Sequence, residues 1–261
     1  MNRNDSLRAE ALQAVFRSFK PGGRKIAMLT AYDYPTARLF EEAGIDIVLV
    51  GDSLGMVVLG YPDTTLVTLE AILHHLGAVS RAVTRTPVIA DLPFQTYRTP
   101  SEALANARRL MEAGADAVKL EGGREVVPQI EAITRSGIPL CAHIGMLPQR
   151  VREEGGYRLK GKTPQDAQRL LDDALAIEAA GAGAVIMELI KPEVAAEITR
   201  QLSIPTVGIG SGPECDGQVL VSHDLIGMFP WFTPKFAKPT ASVGATVREC
   251  ARRYLEEVRG D

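Results

Sequence analysis

Short runs of Val, Ile, Leu and Ala alternate with helix-period segments along nearly the whole chain. The runs at Ile26–Asp33, Ile47–Asp52, Pro87–Asp91, Ala117–Glu121, Ile138–His143, Ala184–Leu189 and Pro205–Gly210 read as strands, with a weaker eighth at Val219–His223. They are apolar at consecutive positions, as strands covered by helices on both faces are. Helical periodicity fills Thr36–Ala43, Thr68–Val83, Ser101–Ala113, Arg124–Arg135, Pro164–Ala180 and Pro192–Gln201. Thr99-Pro100-Ser101 and Thr163-Pro164 are helix starts with proline in the first turn. Two further helices, Asp5–Phe19 and Ser242–Arg259, flank this series.

The pattern repeats itself. Glu42-Ala43-Gly44-Ile45-Asp46-Ile47-Val48 resembles Glu112-Ala113-Gly114-Ala115-Asp116-Ala117-Val118, and Ala179-Ala180-Gly181-Ala182-Gly183-Ala184-Val185 is a third copy. In each, a glycine ends a helix and a strand follows. A second series, Arg85-Thr86-Pro87, Gly137-Ile138-Pro139 and Ser203-Ile204-Pro205, opens strands with proline. The repeating element is therefore a βα unit. About eight such units predict the α/β class and a single (β/α)8 barrel, with a doubly wound open sheet as the alternative. No linker or low-complexity stretch interrupts 1–261. One domain is expected, with 1–20 as a helical extension and 240–261 as a C-terminal helix. The longest irregular stretches, Ser53–Val67 and Gly145–Thr163, follow strands two and five and are candidate active-site loops.

Composition narrows the partners. Of 261 residues, 46% are hydrophobic and 23% charged, which argues against disorder. The longest apolar runs are strand-length and too short to cross a bilayer. A net charge of −3 and a pI near 5.9 offer no basic footprint for nucleic acid. Cys141, Cys215 and Cys250 are odd in number and widely spaced, so neither a disulfide framework nor a structural zinc site is expected. The opening MNRNDSLRAE lacks the apolar segment of a signal peptide, and the cytoplasm is the expected location.

Barrel chemistry sits at the C-terminal ends of strands. Aligning the repeats projects Asp52, Asp91, Glu121, His143 and Glu188 to those ends. Lys119 lies two residues before Glu121, so both point to the same face of one strand. Four carboxylates around one mouth repel unless a cation sits among them, and an all-oxygen set favours a hard cation such as Mg²⁺. Other signals are weaker. Gly208-Ile209-Gly210-Ser211-Gly212 reads as tight turn geometry rather than a phosphate cradle. His74 and His75 project about 100° apart on a helix and read as a solvent or interface feature. Ser53 lacks the G-x-S-x-G surroundings of a serine hydrolase. Arg81 and Arg85 read as a solvated face.

Several motifs in order carry a resemblance. Met28-Leu29-Thr30-Ala31-Tyr32-Asp33, Val50-Gly51-Asp52-Ser53-Leu54-Gly55 and Asp91-Leu92-Pro93-Phe94 resemble the ketopantoate hydroxymethyltransferase family. So do Val118-Lys119-Leu120-Glu121-Gly122-Gly123, His143-Ile144-Gly145 and Gly208–Val221 with His223-Asp224. The resemblance spans about residues 20 to 245. It implies a barrel of the phosphoenolpyruvate/pyruvate type. It implies transfer of a one-carbon unit from 5,10-methylenetetrahydrofolate to 3-methyl-2-oxobutanoate, giving 2-dehydropantoate on the way to pantothenate. It also implies one Mg²⁺ per subunit on Asp52 and Asp91, with Glu121 completing the metal site, through water in one arrangement. Asp52, Asp91, Ser53, Lys119 and His143 would surround the oxo acid, and Glu188 would be the base acting on its C3 proton. A homo-oligomer is implied as well, ten chains being common in the family. The chain departs from the family pattern at Gln95, Thr96, Met146 and Leu147, none of them metal or base positions. Phe94, Tyr97 and Tyr157 are aromatic candidates for the folate, with no choice among them. The alternatives are a Mg²⁺-dependent carbon–carbon lyase acting on another 2-oxo acid, and a non-catalytic barrel that only binds. The lyases carry a Lys-Lys-Cys-Gly-His-type loop that is absent here, and the retained acid and lysine set argues against the binding module.

Overall fold

Eight short strands form in chain order: β1 (Ile26–Thr30), β2 (Ile47–Val50), β3 (Val88–Asp91), β4 (Ala117–Glu121), β5 (Leu140–Gly145), β6 (Ala184–Glu188), β7 (Thr206–Ile209) and β8 (Gly217–Leu220). In the computed structural model, which describes residues 24–260 together with Leu7, Arg8, Leu12 and Phe16, they close into a barrel. Each neighbouring pair from β1–β2 to β7–β8 is parallel. The α-helices among the described residues are α1 (Tyr34–Ala43), α2 (Leu54–Val57), α3 (Leu69–Ala82), α4 (Pro100–Glu112), α5 (Val127–Thr134), α6 (Pro164–Ala179), α7 (Pro192–Gln201), α8 (Ser222–Leu225) and α9 (Val243–Arg259). The (β/α)8 expectation holds, and the open-sheet alternative does not.

Local chemistry explains the punctuation. Asp33, Thr68, Thr99 and Thr163 each accept a backbone N–H three residues on, capping α1, α3, α4 and α6. Asp33 was expected inside the first strand. Its cap draws the helix start back to Tyr34 and ends β1 at Thr30. The eighth strand also shifts, to Gly217–Leu220 from the expected Val219–His223. Closure sets that register: Ile26 N–H donates to Asp216 O at 3.0 Å, and a Cβ on Gly217 would lie 2.5 Å from Ile26 Cβ. Only glycine lets β8 approach the first strand so closely.

Alternation sorts each strand into two environments. Val48, Val50, Val88, Ala90, Val118 and Leu120 point outward and join Ile72, Leu76, Leu110, Ile130 and Ile177 in one apolar layer. Leu49, Ile89, Cys141 and Ile186 are the inward residues and fill the barrel. Toward the C-terminal ends the inward face turns polar, at Asp91, Lys119, Glu121, His143 and Glu188. Register sets Asp91 beside Lys119, and Glu121 beside His143. At the opposite end, buried Arg8 pairs with Asp116 at 3.2 Å and donates to Ser80 O and Gly114 O. Asp116 in turn accepts Val88 N–H at 2.8 Å. The helix expected over 5–19 otherwise lies outside the described residues.

Two compact units make up the chain, 1–219 and 220–261. In the second, Thr240 N–H donates to Leu225 O and Val243 N–H to Ile226 O, bringing the start of α9 back to the end of α8. Phe229 and Trp231 meet edge to face with centroids 5.1 Å apart. No helix among the described residues is long and apolar enough to cross a membrane.

Candidate active site

The strand-end residues expected from the repeats form one buried cluster. Asp52 follows β2, and its backbone N–H donates to Asp91 Oδ2 at 2.9 Å. Lys119 Nζ lies 2.8 Å from Asp91 Oδ1 and 3.8 Å from Glu121 Oε1. His143 bridges the two glutamates: Nδ1 is 3.3 Å from Glu121 Oε1 and Nε2 is 3.4 Å from Glu188 Oε2. All six side chains are buried, and Glu188, at 8%, is the most exposed. Ser53 follows Asp52, and its hydroxyl shares a 2.8 Å hydrogen bond with Tyr32 OH.

Burial and crowding reshape the acids. Burial first, then the Asp91 and Glu121 charges, raise the Asp52 carboxyl well above the usual range, against Lys119 and a hydrogen bond from Gln149. Glu121 is pushed up to about 7 by burial, against the pull of Lys119. Burial also raises Glu188, against the neighbouring His143. Burial alone would depress Lys119, but the Asp91, Glu121 and Asp52 carboxylates outweigh it and hold the ammonium charged. Burial lowers His143 despite Glu188, so the imidazole is neutral near pH 7.

Asp52, Asp91 and Glu121 balanced only by Lys119 leave two negative charges if all three acids ionise. One divalent cation cancels them. The oxygen chemistry agrees with a hard cation. Asp91 Oδ1 and Glu121 Oε1 are buried and receive no hydrogen bond at a proper angle. Among the described residues no three His, Cys, Asp or Glu side chains are placed to hold a metal ion together. Glu121 is already held by Gln149 N–H at 3.1 Å and by its contacts to Lys119 and His143. Asp52 and Asp91 could hold a Mg²⁺ that keeps several waters, with Glu121 behind them. That is how Mg²⁺ is commonly bound.

The loops contribute residues that strand-end reasoning missed. Gln149, on the short turn Pro148–Arg150 after β5, donates from Nε2 to Asp52 Oδ2 at 2.8 Å. Tyr97 OH donates to Gln149 Oε1 at 2.5 Å and lies 3.2 Å from Glu121 O. The sequence marks Gln149 only by its place on a loop after a strand, and Tyr97 as an aromatic candidate for the folate. Of the two histidines expected at a solvent or interface position, His74 is exposed, while His75 is half-buried with its Nδ1 2.6 Å from Tyr32 O. The Gly208–Gly212 segment is a turn, as expected. Gly210 and Gly212 have φ of 64° and 85°, and Ser211 Oγ donates to Met187 O and accepts Ile190 N–H. The residue after Glu188, Leu189, holds φ of 47°, a strained backbone at the end of β6.

Comparisons with known proteins place the chain in a family and support its barrel. The family model described as ketopantoate hydroxymethyltransferase matches residues 12–261. A 3-methyl-2-oxobutanoate hydroxymethyltransferase of Ignicoccus hospitalis is 49% identical over 95% of this chain and 94% of its own. One from Thermus thermophilus is 51% identical over 94% and 93%. Among solved structures, a phosphonopyruvate hydrolase superposes with a TM-score of 0.68 at 17% identity, covering 97% of this chain and 87% of that one. A 2,3-dimethylmalate lyase, described as a member of the PEP mutase/isocitrate lyase superfamily, gives 0.63 at 20%, covering 100% and 89%. At such identity these two speak for the barrel alone. Matched along almost its full length, the chain belongs to the ketopantoate hydroxymethyltransferase family of enzymes.

Proposed function

We propose that this enzyme moves a one-carbon unit from 5,10-methylenetetrahydrofolate to 3-methyl-2-oxobutanoate, giving 2-dehydropantoate for pantothenate synthesis in the cytoplasm. The observation that carries the reading is a buried Asp52–Asp91–Glu121–Lys119 cluster joined through His143 to a separate carboxylate, Glu188. Asp52 and Asp91 would hold Mg²⁺, which supplies a Lewis acid for the substrate's keto oxygen. Lys119 adds a fixed positive charge where negative charge grows, and it is already charged and buried. Ser53, steadied by Tyr32, offers a hydroxyl to the oxo acid's carboxylate. Glu188 takes the C3 proton, and its raised basicity suits a weak carbon acid. The resulting carbanion equivalent attacks the one-carbon unit, and one water is consumed overall to leave the hydroxymethyl group. Neutral His143 lets Glu188 and Glu121 approach without pairing either as an ion.

Purified enzyme with Mg²⁺ is expected to exchange the C3 proton of 3-methyl-2-oxobutanoate for deuterium without folate, as read by proton NMR. It is also expected to transfer the one-carbon unit to this acid faster than to other 2-oxo acids in a small panel. No exchange at any Mg²⁺ concentration overturns the proton-abstraction reading. Transfer that prefers another acid overturns the substrate.

The same proposal includes a homo-oligomer. No residue of α9 is buried, and Val247, Tyr254, Leu255 and Val258 expose one apolar stripe at helical spacing. A second copy of the chain is the proposed cover. Sedimentation velocity should show an assembly larger than 28.1 kDa, and Tyr254→Glu with Val258→Glu should reduce its size. A parent protein sedimenting as a monomer rules this part out.

A further inference from the structure

Gln149 lies in a loop away from the strand-end acids, yet it is only 2% exposed and touches two of them. Its backbone N–H donates to Glu121 Oε2 at 3.1 Å. Its side-chain nitrogen donates to Asp52 Oδ2 at 2.8 Å and to Leu92 O at 3.1 Å. Its side-chain oxygen accepts Tyr97 OH at 2.5 Å. These partners fix which end of the amide is which. Leu92 O is a backbone carbonyl and only accepts, so the nitrogen must face it. The same nitrogen then faces Asp52, and the oxygen faces the tyrosine hydroxyl. An inverted amide would set its one oxygen against the Leu92 and Asp52 acceptors in a buried space, at the cost of two hydrogen bonds. The amide cannot turn, and neither can the carboxylate oxygen it holds.

We propose that Gln149 is a positioning residue for the divalent cation: clamped by Leu92 and Tyr97, its amide occupies one oxygen of Asp52 and keeps the other available to the ion. This rests on the reading of Asp52 and Asp91 as cation ligands. Gln149 touches neither the ion nor the substrate in this arrangement. Its contribution passes through Asp52, as groups that orient metal ligands act in other sites, where their loss commonly weakens metal binding 10- to 100-fold. Tyr97 belongs to the same device one step further out. Gly145 helps place the segment that carries Gln149: with φ of 99° it opens the loop after β5, and a Cβ there would lie 2.3 Å from Glu188 O.

The test reads cation binding on the free enzyme, using Mn²⁺ counted by electron paramagnetic resonance in the absence of oxo acid and folate. Gln149→Met keeps the side chain's length and removes its donors. It is expected to weaken Mn²⁺ binding by about 10- to 100-fold. Tyr97→Phe, which frees only the far end of the amide, should weaken it less, by a few-fold. Activity of Gln149→Met should return toward the parent kcat as Mg²⁺ is raised, because only the affinity for the ion has changed. A loss of packing alone would not respond to the ion. Should Gln149→Met fail to fold, Tyr97→Phe carries the same comparison. Parent-like Mn²⁺ affinity in both variants overturns the role of Gln149 and leaves the cation site standing. A parent enzyme that binds no Mn²⁺ overturns the cation site and this proposal together.

Discussion

Glu188→Gln should slow deuterium exchange at C3 of 3-methyl-2-oxobutanoate by roughly 10²- to 10⁴-fold, the usual worth of a positioned general base. Mn²⁺ affinity should be unchanged. The separation of the two readouts follows from the geometry. Glu188 contacts the His143 ring, with Nε2 3.4 Å from Oε2, and no hydrogen bond or ion pair among the described residues joins it to Asp52 or Asp91. The glutamine keeps its size, so the strained Leu189 backbone and the Met146 N–H bond to Glu188 O at 2.8 Å survive. The parent pH profile carries the same signature. Burial raises the Glu188 carboxyl, so the base form is lost as pH falls through that raised value and is complete above it. Exchange should climb with pH and level off at a midpoint above that of an exposed glutamate. His143 contributes no second limb near neutrality, because burial lowers it. Exchange at the parent rate in Glu188→Gln would move the base elsewhere. Glu121, already pushed up to about 7, is the next carboxyl along the His143 ring.

The division between what the sequence revealed and what it concealed follows physical range. Strand ends were legible because the βα repeat places equivalent residues at equivalent depths, and glycine and proline punctuate each copy. Asp52, Asp91, Glu121, His143 and Glu188 follow from the repeat and Lys119 from its two-residue spacing to Glu121, and the structure brings them within one chain of contacts. Features set by distant partners were not legible. The register of β8 depends on Gly217 meeting Ile26 across the closing seam, which no local pattern encodes. Gln149 looks like an ordinary loop polar residue, and Tyr97 like an aromatic candidate for the folate, until the barrel sets them against Asp52 and Glu121, which lie 97 and 24 positions away in sequence. The partner of His75 is distant in the same way: it is the Tyr32 carbonyl beyond β1, which helical spacing does not reveal. The sequence of the loop Ser53–Val67 looks irregular, but it contains α2 and a turn of 3₁₀ helix at Thr64–Leu66. Segments of four and three residues leave no periodicity to detect.

Lys119→Met should be the most costly single change to the fold near the mouth, and Mg²⁺ should partly reverse it. The side chain is 4% exposed and supplies the cluster's single fixed positive charge, held 2.8 Å from Asp91 and 3.8 Å from Glu121. Methionine matches its length but leaves Asp52, Asp91 and Glu121 uncompensated in a buried space. Removing one partner of a buried ion pair typically costs about 3–5 kcal/mol, because the remaining charge keeps its desolvation penalty. In a chain of this size that is a fall of roughly 6–20 °C in Tm. The acids have one other remedy, which is to take up protons, and Asp52 and Glu121 are already shifted in that direction. The loss should therefore be largest at alkaline pH, where holding those protons is hardest, and smaller near pH 5. A divalent cation offers the charge that the ammonium no longer does. Saturating Mg²⁺ should raise the Tm of Lys119→Met by more than it raises that of the parent, although exchange of the C3 proton stays low because no fixed charge faces the oxo acid. Equal Mg²⁺ stabilisation of both proteins would show that the ion and Lys119 do not share one electrostatic field. Such a result would separate the ion's site from the cluster formed by Asp91, Lys119 and Glu121.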